Sequence, residues 1–338
     1  MSASARSRWA RLLTESRNPR SLRLDTMPTE QVVGLLLDED RRAIAAALRE
    51  RRSIARAAGL AASVLEAGGD VVLIGAGTSG RLAVLEAAEC PPTFGTDPRR
   101  VRAVMAGGPE GVFLSREGAE DREDVGRDEG GRLGPKDLLI GISASSVTPY
   151  VRGALAAARA QGAGTVLVTC APAPGLSRLA DVVIAVRSGP EVLTGSTRLK
   201  AGSATKAVLN AISTAAMVRL GKAYENLMVD LKPTSAKLVD RTRRIVAAAT
   251  GQDDADVTRL LAGAGGEVKT AIVMAKLGVS APEARGRLAA SGGHVRPALR
   301  GSVMRRGAVV RGGTGVRGGT GKRGRSGRSR SAQAKRVD

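Results

Sequence analysis

The sequence predicts an α/β fold: a doubly wound parallel sheet with helices on both faces, an N-terminal helical arm and a small C-terminal helical domain. Two observations carry this. Short apolar runs alternate with helix-patterned segments between residues 70 and 220, the signature of strands joined by crossover helices. From Pro28 to about Ala67 and again within 241–300 the apolar residues recur at helical spacing. The expected division is 1–55 for the arm, 56–240 for the sheet domain, 241–300 for the helical domain and 301–338 for a basic tail.

From Pro28 to about Ala67 the apolar positions Val32, Val33, Leu35, Leu36, Leu37, Ile44, Ala47, Leu48, Ile54, Ala58, Ala61 and Leu65 follow a helical period. Gly68-Gly69 ends that pattern. Asp70–Gly75 then reads as a buried parallel strand, and Val101–Met105, Asp137–Ile142, Thr165–Cys170 and Asp181–Val186 repeat the type. Tyr150–Gln161 and the Ala-rich Gly202–Leu220 read as helices, and Asn226–Asp240, with Pro233, as an extended connection. Four short helical patterns follow at Thr242–Thr250, Asp253–Gly263, Val268–Leu277 and Pro282–Ser291.

Lys and Arg outnumber Asp and Glu by 53 to 32, a net charge of +21 over 338 residues. Eleven Lys/Arg and one Asp fall in 301–338, which repeats Arg-Gly-Gly-Thr-Gly at 311 and 317 and has no aromatic residue; a segment of that composition is expected to be disordered. The tail offers nucleic acid no more than weak nonspecific binding, because the chain's aromatics are only Trp9, Phe94, Phe113, Tyr150 and Tyr224 and make no stacking platform. No apolar run approaches the ~18 residues of a spanning helix. The N-terminus has no signal-peptide core, and Cys90 and Cys170 form no framework, so the expectation is a cytoplasmic protein with no membrane partner.

The loop Gly75-Ala76-Gly77-Thr78-Ser79-Gly80 joins the first strand to a helix, aiming backbone N–H groups at an anion. It has no Walker lysine, and the second strand ends Met105-Ala106-Gly107-Gly108 with no carboxylate for a dinucleotide ribose. Gly77, Thr78 and Ser79 instead suit a single phosphate. Two more hydroxyl clusters follow later strands: Ser143, Ser145, Ser146 and Thr148, then Ser196 and Thr197 with Arg198 and Lys200. Each cluster alone is ordinary helix capping. Together they point to a phosphate-bearing ligand at the carboxyl ends of the strands. Neither a metal site nor a cofactor is expected, since the single His294 lies in the helical domain and the two cysteines lack zinc partners.

On these motifs the chain resembles the N-acetylmuramic acid 6-phosphate etherase family of the sugar isomerase (SIS) superfamily. The matching pieces are Thr14-Glu15 with Asn18-Pro19, Gly75–Arg81, Glu89–Gly95, Glu117–Asp121, Thr148-Pro149-Tyr150, Thr194–Gly202 and Asn226–Asp230, spanning about residues 13–300. The resemblance implies a lyase of cell-wall amino sugar recycling that removes D-lactate from C3 of a 6-phosphosugar by elimination and then hydration. It also implies Glu89 as proton donor, Glu120 as the second acid/base residue, and a homodimer with shared sites. Independently, the Cys90-Pro91-Pro92 turn beside Glu89 is expected to desolvate that carboxyl and raise its pKa. Glu86 and Glu117 are the acids most easily confused with these two. A helix unbroken from Gly80 to Glu89 sets Glu89 about 15 Å from its start, farther than a 6-phosphate lies from C3; an early helix break, a phosphate held on Ser143–Thr148, or a second subunit would each resolve this.

The family's second hydroxyl loop has Gly-Arg where this chain has Ser146-Val147, and Asn where it has Ala171 and Ser235. A side chain in place of Gly restricts φ, and the lost guanidinium removes a charged contact, so phosphate binding is expected to be weakened. Arg198 and Lys200 remain as cations. The rival readings are a non-catalytic phosphosugar sensor, which the presence of both Glu89 and Glu120 opposes, and a phosphosugar isomerase, which the Glu-Cys-Pro-Pro and Glu-Gly-Ala-Glu-Asp motifs oppose.

Overall fold

The computed structural model describes residues 12–231 and 235–300. Expectations for Pro233 and for the tail lie outside them. Five parallel strands, β1 (Val71–Gly75), β2 (Val101–Met105), β3 (Leu138–Ile142), β4 (Gly164–Thr169) and β5 (Val182–Ala185), form one sheet in the order β2-β1-β3-β4-β5. β1 and β3 are buried at every position, as strands covered on both faces must be. Gly75 is in register with Met105 on one side and Ile142 on the other, so the strand order reverses around β1 and opens a crevice at its carboxyl end.

Side-chain alternation splits the core between the two faces. Val71, Leu73, Leu138, Ile140, Val166 and Ile184 pack against α2 (Arg51–Glu66), α3 (Gly77–Phe94) and α6 (Lys200–Arg219). Val72, Ile74, Leu139 and Leu167 pack on the other face against α5 (Pro149–Ala160). A further helix, α4 (Glu123–Gly131), crosses α5 closely: a Cβ on Gly126 or Gly130 would run into the carbonyls of Tyr150 or Ala154.

The arm holds α1 (Thr29–Arg49), which packs Ala43, Ala46 and Ala47 into the first core; Glu50 separates it from α2, so the helical pattern of the sequence is two helices. Ahead of α1, Leu12–Thr26 runs in short 3-10 turns. After α6, Ala223–Tyr224 (β6) pairs antiparallel with Leu227–Met228 (β7).

Five helices follow, α7 (Ala236–Thr250), α8 (Asp254–Gly263), α9 (Val268–Leu277), α10 (Ala281–Ala290) and α11 (Val295–Arg300), around a third core containing Val246, Val257, Ile272 and Leu288. Ser235, Asp253 and Ser280 cap α7, α8 and α10, and Gly251 and Gly278 take left-handed conformations after α7 and α9.

Two expectations are corrected. The extended connection to Asp240 stops short, because the Ser235 cap starts α7 six residues before Thr242. Cys90-Pro91-Pro92 is not a turn: α3 continues through both prolines to Phe94 and ends at Gly95, φ +64°. Pro91 and Pro92 carry no amide to bond the Ala87 and Ala88 carbonyls one turn back, and the Cys90 thiol donates to the Glu86 carbonyl at 3.3 Å. Among the described residues no helix is long and apolar enough to cross a membrane.

Candidate functional site

At the β1/β3 reversal, Gly75 and Gly80 touch so closely that a Cβ on either would strike the other's backbone, which seats the start of α3 directly on the strand end. Ala76, the N-cap, makes no side-chain bond, so the amides of the first turn, with Gly77, Thr78 and Ser79, are uncapped by side chains. Across the crevice Ser143 is buried, with its hydroxyl 2.9 Å from that of Thr148. That contact leaves α5 without a side-chain cap from Thr148. Two helix starts therefore present donors toward the same strand ends.

Ser146 stands at φ +66°, one of two non-glycine residues with positive φ among those described. It is 2% exposed and its hydroxyl has no hydrogen-bond partner. The position does demand what glycine supplies. Ser145 is half-buried and its hydroxyl accepts from the Val147 amide at 3.4 Å.

The third cluster behaves differently. Ser196 and Thr197 are half-buried and Arg198 exposed, but the start of α6 is already occupied: buried Glu191 accepts from the amides of Lys200 at 3.2 Å and Ala201 at 3.0 Å. Burial pushes the Glu191 pKa up, while those amides pull it down. Lys200 is 3% exposed and is committed to an ion pair with buried Glu39 of α1. Glu39 also takes Arg20 at 2.6 Å and Asn18 at 3.1 Å, so this network ties the arm to the start of α6. Burial, the largest influence on Glu39, raises its pKa, but the bonds from Lys200 and Arg20 prevail and hold it below the usual carboxylate value. Lys200 is thus not a free cation for a ligand.

The loops do meet. A Cβ on Gly202 would lie 3.7 Å from the Thr78 methyl and 3.5 Å from the Thr197 carbonyl, while the Cys170 amide bonds the Ala144 carbonyl and the Cys170 thiol the Ala201 carbonyl. Burial pushes the Cys170 thiol up to about 11 and that of Cys90 up to about 12, so both stay protonated at neutral pH and neither is a nucleophile.

The two glutamates are placed apart. Glu120 is exposed on the 3-10 turn Ala119–Asp121 and shares a cavity of about 220 Å³ with Gly77, Arg81, Arg116 and Glu117. Glu89 lies twelve residues beyond Gly77, about 18 Å along an unbroken α3, and lines neither that cavity nor the larger one beside it. It is exposed, so the expected desolvation by Cys90-Pro91-Pro92 is absent: helix geometry turns Glu89 outward while Cys90 faces the core. Glu86, the neighbouring acid, is buried and bonded to Ser213 and Lys206.

Arg81 carries a role that the sequence did not reveal. Its guanidinium donates to the carbonyls of Val112 at 2.8 Å and Gly111 at 3.0 Å, holding the loop that leads from β2 to Glu120 against α3. Its place one residue after Gly80 was visible; its partners, thirty residues away, were not.

A parallel sheet whose order reverses at a glycine loop, with hydroxyl-rich loops above it, makes this a doubly wound α/β protein, and its relatives identify the sugar isomerase type. In agreement, the Glucokinase regulatory protein N-terminal SIS domain family matches residues 53–159. The N-acetylmuramic acid 6-phosphate etherase of Rubrobacter xylanophilus is 50% identical over 86% of this chain and 97% of its own. That of Cutibacterium acnes is 50% identical over 85% and 95%. Among solved structures, the Vibrio vulnificus NanR protein complexed with ManNAc-6P is 15% identical over 65% of this chain and 71% of its own, with a TM-score of 0.41. The chain belongs to the N-acetylmuramic acid 6-phosphate etherase family.

Proposed function

We propose that the protein cleaves the lactyl ether of N-acetylmuramic acid 6-phosphate to N-acetylglucosamine 6-phosphate and D-lactate, in cytoplasmic recycling of cell-wall amino sugars. The observation that carries this is the 50% identity running across 97% of the Rubrobacter xylanophilus etherase. In this reading the uncapped starts of α3 and α5, with Thr78, Ser79, Ser143, Ser145, Ser146 and Thr148, hold the phosphate, and Ser196, Thr197 and Arg198 border it. The ring-opened aldehyde acidifies the C2 proton, a carboxylate removes it, and a carboxylic acid protonates the lactyl oxygen as it leaves C3. Water then adds at C3, so the sum is hydrolysis. Glu120, beside Gly77, and Glu89 are the two carboxyl groups. Because α3 is unbroken and Glu89 lies outside the cavity of Glu120, two copies of the chain share each site, and the second subunit supplies the enclosure that Glu89 lacks alone.

Incubation with N-acetylmuramic acid 6-phosphate should release D-lactate, with deuterium entering C2 in heavy water. Glu89→Gln and Glu120→Gln should each slow release by about 10²- to 10⁴-fold, the usual worth of a general acid or base. Lactate released by both variants at the parent rate overturns the assignment. The sensor alternative predicts binding with no lactate from the parent protein.

A further inference from the structure

We infer that Arg81 is a positioning residue for Glu120: its guanidinium fork fixes the loop that carries this carboxylate relative to the first turn of α3. The inference rests on the reading of Glu120 as one of the two acid/base groups. β2 ends at Met105, and Glu120 stands fifteen residues later on an irregular segment, 106–121. That segment closes largely on itself. The amides of Gly111, Phe113 and Leu114 turn back to the carbonyls of Gly108 and Glu110, Arg116 pairs with Glu110, and the amides of Ala119 and Asp121 bond the carbonyls of Arg116 and Gly118. Its tip stands in solvent, with Phe113 88% and Leu114 67% exposed. Ala119 packs into the core beneath α5. Among the described residues, the hydrogen bonds that tie 109–121 to the rest of the chain are the two from Arg81, to the carbonyls of Gly111 at 3.0 Å and Val112 at 2.8 Å.

The root of that fork is fixed. A Cβ on Gly80, the residue before, would lie 2.7 Å from the Gly75 carbonyl oxygen and 2.7 Å from Met105 Cγ, so the backbone entering Arg81 is seated on the ends of β1 and β2. Gly77, Arg81 and Glu120 line one cavity, and Arg116, the other cation there, is spent on Glu110. A planar guanidinium with Nε and Nη2 side by side clasps two successive carbonyls in a geometry that an ammonium cannot reproduce. The turn of α3 whose amides meet the phosphate therefore also sets how far from it Glu120 stands. Removing a proton from C2 depends on that spacing, and a displacement of about 1 Å can cost about 10²-fold in rate.

D-lactate release by the full chain tests this. Arg81→Lys, which keeps the charge and loses the fork, should lower kcat about 10- to 100-fold with KM within about twofold of the parent. Gly111→Ala, whose methyl would lie 2.8 Å from the Ala106 carbonyl oxygen and so shifts the same loop with Arg81 intact, should lower kcat in the same way. When Glu120 is already Gln, Arg81→Lys should cost no more than about twofold, because a group acting through Glu120 then has nothing left to place. Amide hydrogen exchange over 109–121, which needs no substrate, should quicken in Arg81→Lys. An unchanged kcat, an equal loss in both backgrounds, or unchanged exchange overturns the inference and leaves the parent's lactate release standing. A parent that releases no lactate, or a Glu120→Gln protein at the parent rate, overturns the underlying reading and this inference with it.

Discussion

Ser146 combines two costs in one residue. A left-handed backbone on a side chain with Cβ costs roughly 1–2 kcal/mol, and a buried hydroxyl with no partner roughly 1–3 kcal/mol. Glycine in its place would add unfolded-chain entropy worth roughly 0.5–1 kcal/mol, less than either. Ser146→Gly should therefore stabilise the ligand-free protein by about 1–2 kcal/mol, read as a higher urea midpoint at unchanged slope. A lower midpoint would show that the backbone there is not strained. The need for glycine at this position was legible in the sequence. The orphaned hydroxyl was not, because partners are a property of packing. The same limit explains Glu89 and Lys200: residue type said acid and base, but only helix phase and the position of Glu39 show one in water and the other spent in an ion pair.

Elements whose period is set by burial were legible nearly to the residue. β2 is Val101–Met105 as expected, and α9 is Val268–Leu277. What failed were boundaries decided by local chemistry: the prolines that α3 carries in its last turn before Gly95 ends it, and the Ser235 cap of α7. α4 was missed because its sequence, EDVGRDEGG, has almost no apolar stripe; its contact surface is glycine. Gly130→Ala tests this. Helix propensity favours alanine by about 1 kcal/mol, yet the methyl would enter the Ala154 carbonyl, and overpacking costs about 1–3 kcal/mol. Clash prevails, so the variant should lose about 1 kcal/mol or more in chemical denaturation. Gly131→Ala, with nothing within 4 Å of its added carbon, should lose none.

At the scale of the molecule, the parallel sheet followed from strand–helix alternation, but which strands are neighbours did not, and with it the meeting of Gly77 with Glu120. The join between sheet and helical regions was equally hidden. It rests partly on His294, the only histidine, whose ring would touch a Cβ on Gly221, a residue at φ +72° just after α6. Burial and then nearby Lys269 lower the imidazole pKa from 6.5, against a small upward pull from Glu66. Above pH 6.5 the ring is neutral in both the folded and the unfolded chain, and the contact costs no proton. As pH falls below 6.5 the unfolded chain takes up the proton first, so folding stability declines until the folded pKa is passed, and then levels. No other imidazole titrates in that window. Melting temperature followed from pH 8 downward should therefore drop as pH passes below 6.5, and His294→Gln should flatten that step while leaving the acid unfolding of the carboxylates in place. A step that survives the substitution would assign it to another group and remove His294 from the join.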